Sequence, residues 1–204
     1  AVLYIKQRRE QLGGFMPKRD EVKAQQKVPA LSVLADLLVA SERQFSTTMA
    51  FVRVLSIWLR QQDFADRLVP IVPDESRTFG MEGLFRQIGI YTSQGQQYEP
   101  VDKKQIMYYK ESEQGQLLQE GINEAGAMAS WIAAATSYSN NQQAMLPMYI
   151  FYSMFGFQRV GDLLWAAGDM HARGFLFGAT AGRTTLAGEG LQHNDGHSQM
   201  MAAL

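Results

Sequence analysis

Apolar residues recur every three or four positions over LSVLADLLVA (31–40) and STTMAFVRVLSIWLRQQ (46–62). That is the period of a helix with one buried face, so two helices are expected there, the second capped by Ser46 or Thr47. Further along, the pattern changes to short apolar runs: RLVPIV (67–72), GQLLQEG (115–121), MLPMYIFY (145–152) and RGFLFGAT (173–180). Between them lie longer helix-like segments, clearest at 122–138 and 154–172. Strands that are apolar on both faces and alternate with helices predict an α/β fold, a mainly parallel sheet with helices on both faces. In such sheets ligands bind beyond the carboxyl ends of the strands. The segments to read for chemistry are therefore 73–83, 119–126, 152–158 and 179–197.

The first part of the chain has a different character. Between Ala1 and Lys27 there are seven Lys/Arg and three Asp/Glu around a GGFMP break, a composition suited to an extended or helical arm rather than a core. Residues 1–30 are thus expected to be an arm or linker, and 31–204 one domain, incomplete at its C-terminal end. The missing initiator Met points to an excerpt of a longer protein. At 204 residues and 46% hydrophobic composition the chain has enough apolar material for a core without disulfides or metals.

Charge and composition then narrow the partners. A formal net charge of −1 supplies no field for nucleic acid or an anionic membrane, and no apolar run reaches the roughly 18 residues of a membrane span. Neither nucleic acid nor membrane is an expected partner. The chain has no cysteine, which removes thiolate nucleophiles and thiolate metal sites and is compatible with a reducing compartment.

Three segments carry candidate chemistry. QEGINEAG (119–126) puts Glu120 and Glu124 around a helix start. Acids there are favoured by the helix dipole alone, by about 0.3–1 kcal/mol; the alternative is a buried carboxyl exchanging a proton beside a ligand, its pKa raised by an apolar surround. Glu124, just inside the helix, is the better placed of the two. The strand-to-helix turn near 152 is dense in aromatics, and Tyr152 and Phe155 are candidates for a stacking surface. GEGLQHNDGH (188–197) holds His193 and His197 four apart, but its glycines make a poor helix. A metal site is weakly supported even with Glu189 and Asp195 nearby, and a polar loop or an acid–base loop remain the alternatives.

The segments PDESRTFGMEGLFRQIGIY, LLQEGINEAGAMASWIAAATSYS, YSMFGFQRVGDLLWAAGDMHARGFL and GRTTLAGEGLQHNDGHS closely resemble the homodimeric bacterial pyruvate dehydrogenases, the thiamin-diphosphate-dependent decarboxylating component of the pyruvate dehydrogenase complex. The likeness runs almost end to end and covers only the middle part of such an enzyme, its transketolase-like, pyrimidine-binding domain with a preceding arm. It implies a cytoplasmic homodimer that oxidatively decarboxylates pyruvate and passes the acetyl group to lipoamide on a dihydrolipoamide acetyltransferase. By position, Glu124 matches the glutamate that activates thiamin diphosphate, and Tyr152 and Phe155 match aromatics packed on its aminopyrimidine. His193 matches a catalytic histidine, and Glu75 and Glu189 match active-site or interface carboxylates near the cofactor. His171 and His197 are left as structural. Asn194 stands where an acid is common in the family, which touches loop electrostatics. Families of this kind bind Mg2+ and the diphosphate through a Gly-Asp-Gly motif, which is absent here. The resemblance therefore assigns magnesium to a domain outside this chain, no metal ligand within it, and inactivity to the chain alone. The alternative from another class is a non-catalytic dimerisation or interaction module of the same fold.

Overall fold

The structure, a computed structural model, describes residues 1–14, 27–40, 42, 44–73, 76–179, 195–196 and 198–203. The chain opens with α1 (Val2–Gln11), none of whose residues is buried. The first expected domain helix is shorter and tighter than its spacing predicts, a 3-10 turn over Leu31–Leu37 with only Leu34 buried. A single buried leucine gives an α-helix little tertiary support. The second expected helix is present as α2 (Thr47–Trp58), and of the two proposed caps it is the Ser46 side chain that accepts from the Met49 N–H, at 3.1 Å.

From there the elements run β1 (Leu68–Val72), α3 (Glu82–Gln87), β2 (Ile90–Tyr91), β3 (Glu111–Ser112), β4 (Leu118–Gln119), α4 (Glu124–Ala135), α5 (Ser137–Asn140), β5 (Leu146–Tyr152), α6 (Ser153–Asp169), β6 (Phe175–Ala179) and α7 (Ser198–Ala202). All four apolar runs contribute strands to one sheet of order β4-β1-β5-β6, every pairing parallel. The small β2-β3 pair is also parallel and has no counterpart in the apolar pattern, because two-residue strands are too short to show a period. The fold is the α/β arrangement expected, helices covering both faces.

Period-2 alternation sorts the strand residues between two cores. Leu68, Val72, Met148 and Ile150 face Val52, Leu55, Phe79, Leu84 and Phe85 on the α2/α3 side. Ile71, Tyr149 and Phe151 face Ala127, Met128 and Trp131 of α4 and Val160 and Ala167 of α6 on the other. Trp131 also donates its indole N–H to the Phe175 carbonyl at 3.1 Å, fixing α4 against the far edge of the sheet.

Strand order places the site. The chain passes from β1 outward to β4 on one side, then crosses back to β5 and on to β6 on the other. Connections leaving β1 and β5 thus diverge, and the crevice between their carboxyl ends is where parallel sheets receive ligands.

Candidate active site

Glu124 is the first residue of α4, one position beyond its N-cap. The turn before it is built by Gly121, whose φ of +74° suits glycine, and by Asn123, whose side-chain oxygen accepts from the Gly126 N–H at 3.0 Å. Residues 124, 127, 128 and 131 lie on one helical face, so Glu124 continues the stripe formed by Ala127, Met128 and Trp131. It is consequently buried, at 8% exposure. Its neighbour in the sequence motif behaves differently: Glu120, half-buried, accepts from the Ser130 hydroxyl of α4. Of the two acids, Glu124 is the buried one.

The carboxylate is not left in wholly apolar surroundings. Arg159 of α6 donates from Nη1 to Glu124 Oε1 as an ion pair. Among the described residues no hydrogen bond reaches the second oxygen, Oε2. The helix end favours negative charge here by about 0.3–1 kcal/mol, and the guanidinium offsets part of the cost of burying it. Arg159 itself lies just before a kink in α6 at Val160, whose φ of −128° and ψ of 20° are not helical.

The same guanidinium sits over the Phe155 ring, 4.1 Å from its centroid. Phe155 lies 6.1 Å from Tyr152, and Tyr152 lies 5.3 Å from Phe79, centroid to centroid. A continuous line of contacts therefore runs Glu124, Arg159, Phe155, Tyr152, Phe79 across the ends of β4, β5 and β1. Three residues expected from the sequence, Glu124, Tyr152 and Phe155, lie on this line with two that sequence reasoning missed, Arg159 joining Glu124 to Phe155 and Phe79 backing Tyr152. The signal for Arg159 was available: it stands four residues after Phe155, one turn along the same helical face. Phe79 carried no local signal, because its role depends on the β1–β5 pairing.

Behind the carboxylate is a third residue not anticipated. Tyr149 of β5 is fully buried in the core against α4 and α6, and its hydroxyl has no hydrogen-bond partner among the described residues. Burial pushes its pKa well above the usual tyrosine range; the nearby Glu124 charge adds to that and Arg159 opposes it.

The β1 junction is tied to the rest by polar contacts. Ser76, 2% exposed, donates to Gln119 Oε1 at the end of β4, and Arg77 pairs with Asp102. Glu75, Glu189 and His193, expected near the cofactor, lie outside the described residues, as does His197. The residues flanking that last segment both meet the aromatic turn: Ala179 pairs with Tyr152 in the sheet, and the Ser198 hydroxyl donates to the Ser153 carbonyl at 3.1 Å. His171, expected to be structural, has φ +54° and its carbonyl accepts from the Tyr138 hydroxyl at 3.0 Å. Among the described residues no group of three or more His, Asp or Glu could hold a metal ion, and no helix is long and apolar enough to cross a membrane.

The class defined by this geometry is a parallel α/β domain with one inward carboxylate and a row of aromatic rings at its strand ends. Comparison with known proteins makes this specific. The profile of the family described as Pyruvate dehydrogenase E1 component middle domain matches residues 34–204, and the chain belongs to that family. It is 63% identical over 201 residues to the Pyruvate dehydrogenase E1 component of Pseudomonas aeruginosa, covering 98% of this chain and 23% of the relative. Identity is 60% over 202 residues to the protein of that name from Cupriavidus necator, again 98% and 23%, and 58% over 200 residues to that of Escherichia coli K12, 98% and 22%. The chain thus spans under a quarter of the length of these curated relatives.

Proposed function

We infer that this chain is the pyrimidine-facing part of a thiamin-diphosphate-dependent pyruvate dehydrogenase, the component that decarboxylates pyruvate and passes the acetyl group to lipoamide on a dihydrolipoamide acetyltransferase. The observation that carries the reading is the buried Glu124 carboxylate, joined through Arg159 to the Phe155 and Tyr152 rings, in a chain of the E1 middle-domain family.

These residues suit an aminopyrimidine. One oxygen of Glu124 is held by Arg159 and the other is left for a ring nitrogen, while Phe155 and Tyr152 offer aromatic surface beside it. Thiamin diphosphate, when bound, supplies the electron sink that lets a 2-oxo acid lose carbon dioxide. Glu124 holds and returns one proton at the ring edge, with Arg159 fixing its rotamer. Tyr152 and Phe155 set the depth and tilt of the ring and keep water from the carboxylate. Glu189 and His193 belong to this site in the proposal, His193 handling substrate-derived atoms, and Glu75 adds a further acid at the β1 junction. The diphosphate–magnesium half of the site belongs, in this proposal, to another part of the full-length protein, contributed by a second subunit of a homodimer. Cytoplasmic placement goes with this reading.

The test is Glu124→Gln in the full-length protein. Losing proton transfer by a positioned acid lowers turnover by about 100-fold or more, while the melting temperature stays near that of the unsubstituted protein because the freed Arg159 remains half exposed. Near-normal pyruvate decarboxylation by this variant would remove the basis of the reading.

A further inference from the structure

The Tyr149 hydroxyl makes no hydrogen bond among the described residues although the residue is completely buried. A buried hydroxyl without a partner is costly, because it gives up its water and receives nothing in return. The cost is avoidable: phenylalanine occupies Phe79, Phe85 and Phe151 in the same two cores, and would fill the space of the Tyr149 ring equally well. The hydroxyl therefore needs a use that the described contacts do not provide. Tyr149 packs in the cluster of Ala127, Met128 and Val160, under the first turn of α4 and beside the α6 kink. Those are the places from which Glu124 and Arg159 project. At this α4/β5/α6 junction the buried Tyr149 hydroxyl is thus left without a partner among the described residues, and it stays protonated and so remains a donor, while Arg159 is bonded to Oε1 of Glu124 and leaves Oε2 able to accept.

We propose that Tyr149 is a positioning residue for Glu124, its hydroxyl donating, directly or through one buried water, to the lone pair not turned to the ring nitrogen on the carboxylate oxygen that Arg159 leaves free, so that the acid is clamped from two sides when the ring it serves is in place. Arg159 holds the carboxylate from the α6 side and Tyr149 holds it from the sheet. The hydroxyl touches no reacting atom; it acts through Glu124. This rests on the assignment of Glu124 above.

Tyr149→Phe tests it, since that change removes the hydroxyl and keeps the ring. In the full-length protein, with and without Glu124→Gln, the readouts are melting temperature without cofactor, dissociation constant of thiamin diphosphate by calorimetry in the presence of Mg2+, and kcat and KM for pyruvate. On the proposal Tyr149→Phe leaves the melting temperature unchanged or raises it, weakens cofactor binding by roughly threefold to tenfold and lowers kcat by about tenfold, with KM little changed. In the Glu124→Gln background it adds nothing, because the group it serves is gone. Wild-type affinity and kcat in Tyr149→Phe would overturn the proposal. So would equal effects in both backgrounds, or losses that follow a fall in melting temperature. Failure of the Glu124 assignment itself shows separately, as normal turnover in Glu124→Gln alone.

Discussion

Glu124 and Arg159 form an asymmetric pair. The acid is buried and the cation is about half exposed, so the two halves respond differently to removal. Taking away the acid leaves a guanidinium that water solvates. Taking away the cation leaves a buried carboxylate without its counter-charge, which is the costly direction. Arg159→Met is expected to lower stability by about 1–2 kcal/mol, below the range for fully buried pairs because the arginine is partly solvated, and by more than Glu124→Gln. Denaturant midpoints of the two variants check the order; a greater loss in Glu124→Gln would mean that the acid is held by something other than Arg159. Tyr149 adds a pH dependence. Its folded pKa is raised above the unfolded value of about 10, so it contributes stability that is complete below that pH and is lost as pH climbs past it. Alkaline unfolding should therefore begin at higher pH in Tyr149→Phe than in the parent, as followed by circular dichroism. Identical alkaline limbs would show that the phenol ionises no later when folded.

At the scale of elements, α6 has to approach β5 closely for Phe155 and Arg159 to reach the site. Gly156 allows it: a Cβ there would lie 2.1 Å from Phe151 Cε2, closer than atoms pack. Gly156→Ala must push the helix outward or distort the Phe151 ring, at about 1–3 kcal/mol, which for a chain of this size lowers the melting temperature by roughly 2–4 °C per kcal/mol. Unlike a remote core defect it should also weaken cofactor binding, because Phe155 and Arg159 ride on the displaced turn. A full melting temperature would mean that the contact relaxes freely. The sequence made these elements legible where burial is two-sided and long. The run at 145–152 marked β5, and the segment at 154–172 marked α6, since both carry enough apolar residues to show their period. It was less informative at β4, where a seven-residue apolar run becomes a two-residue strand because its ends are spent on turns. At 31–37 helical spacing became a 3-10 turn for want of a buried face. The candidate site followed the same rule. Glu124, Tyr152 and Phe155 stood in motifs at strand ends, whereas Arg159, Phe79 and Tyr149 gain their roles only from which strands and helices become neighbours.

Over the whole molecule, the proposed function makes the chain one wall of a site. The chain covers 22–23% of the length of its relatives and offers an acid and aromatic rings, with no cluster of three or more His, Asp or Glu to hold a metal ion among its described residues. With thiamin diphosphate and Mg2+ added, the 204-residue chain alone should show no pyruvate decarboxylation above the cofactor-only rate, while the full-length protein turns over; measurable activity from the chain alone would contradict a shared site. On α6, Trp165 is 72% exposed and lines an apolar groove with Phe157, Leu164 and Met201.

The most direct measurement is a structure of the full-length protein with thiamin diphosphate bound, read for a single distance. The account predicts a Glu124 carboxylate oxygen within hydrogen-bond reach, roughly 2.6–3.2 Å, of a nitrogen of the aminopyrimidine, with Arg159 on the other oxygen. A cofactor ring seated elsewhere, with Glu124 bound to Arg159 alone and no heterocycle beside it, would contradict the account.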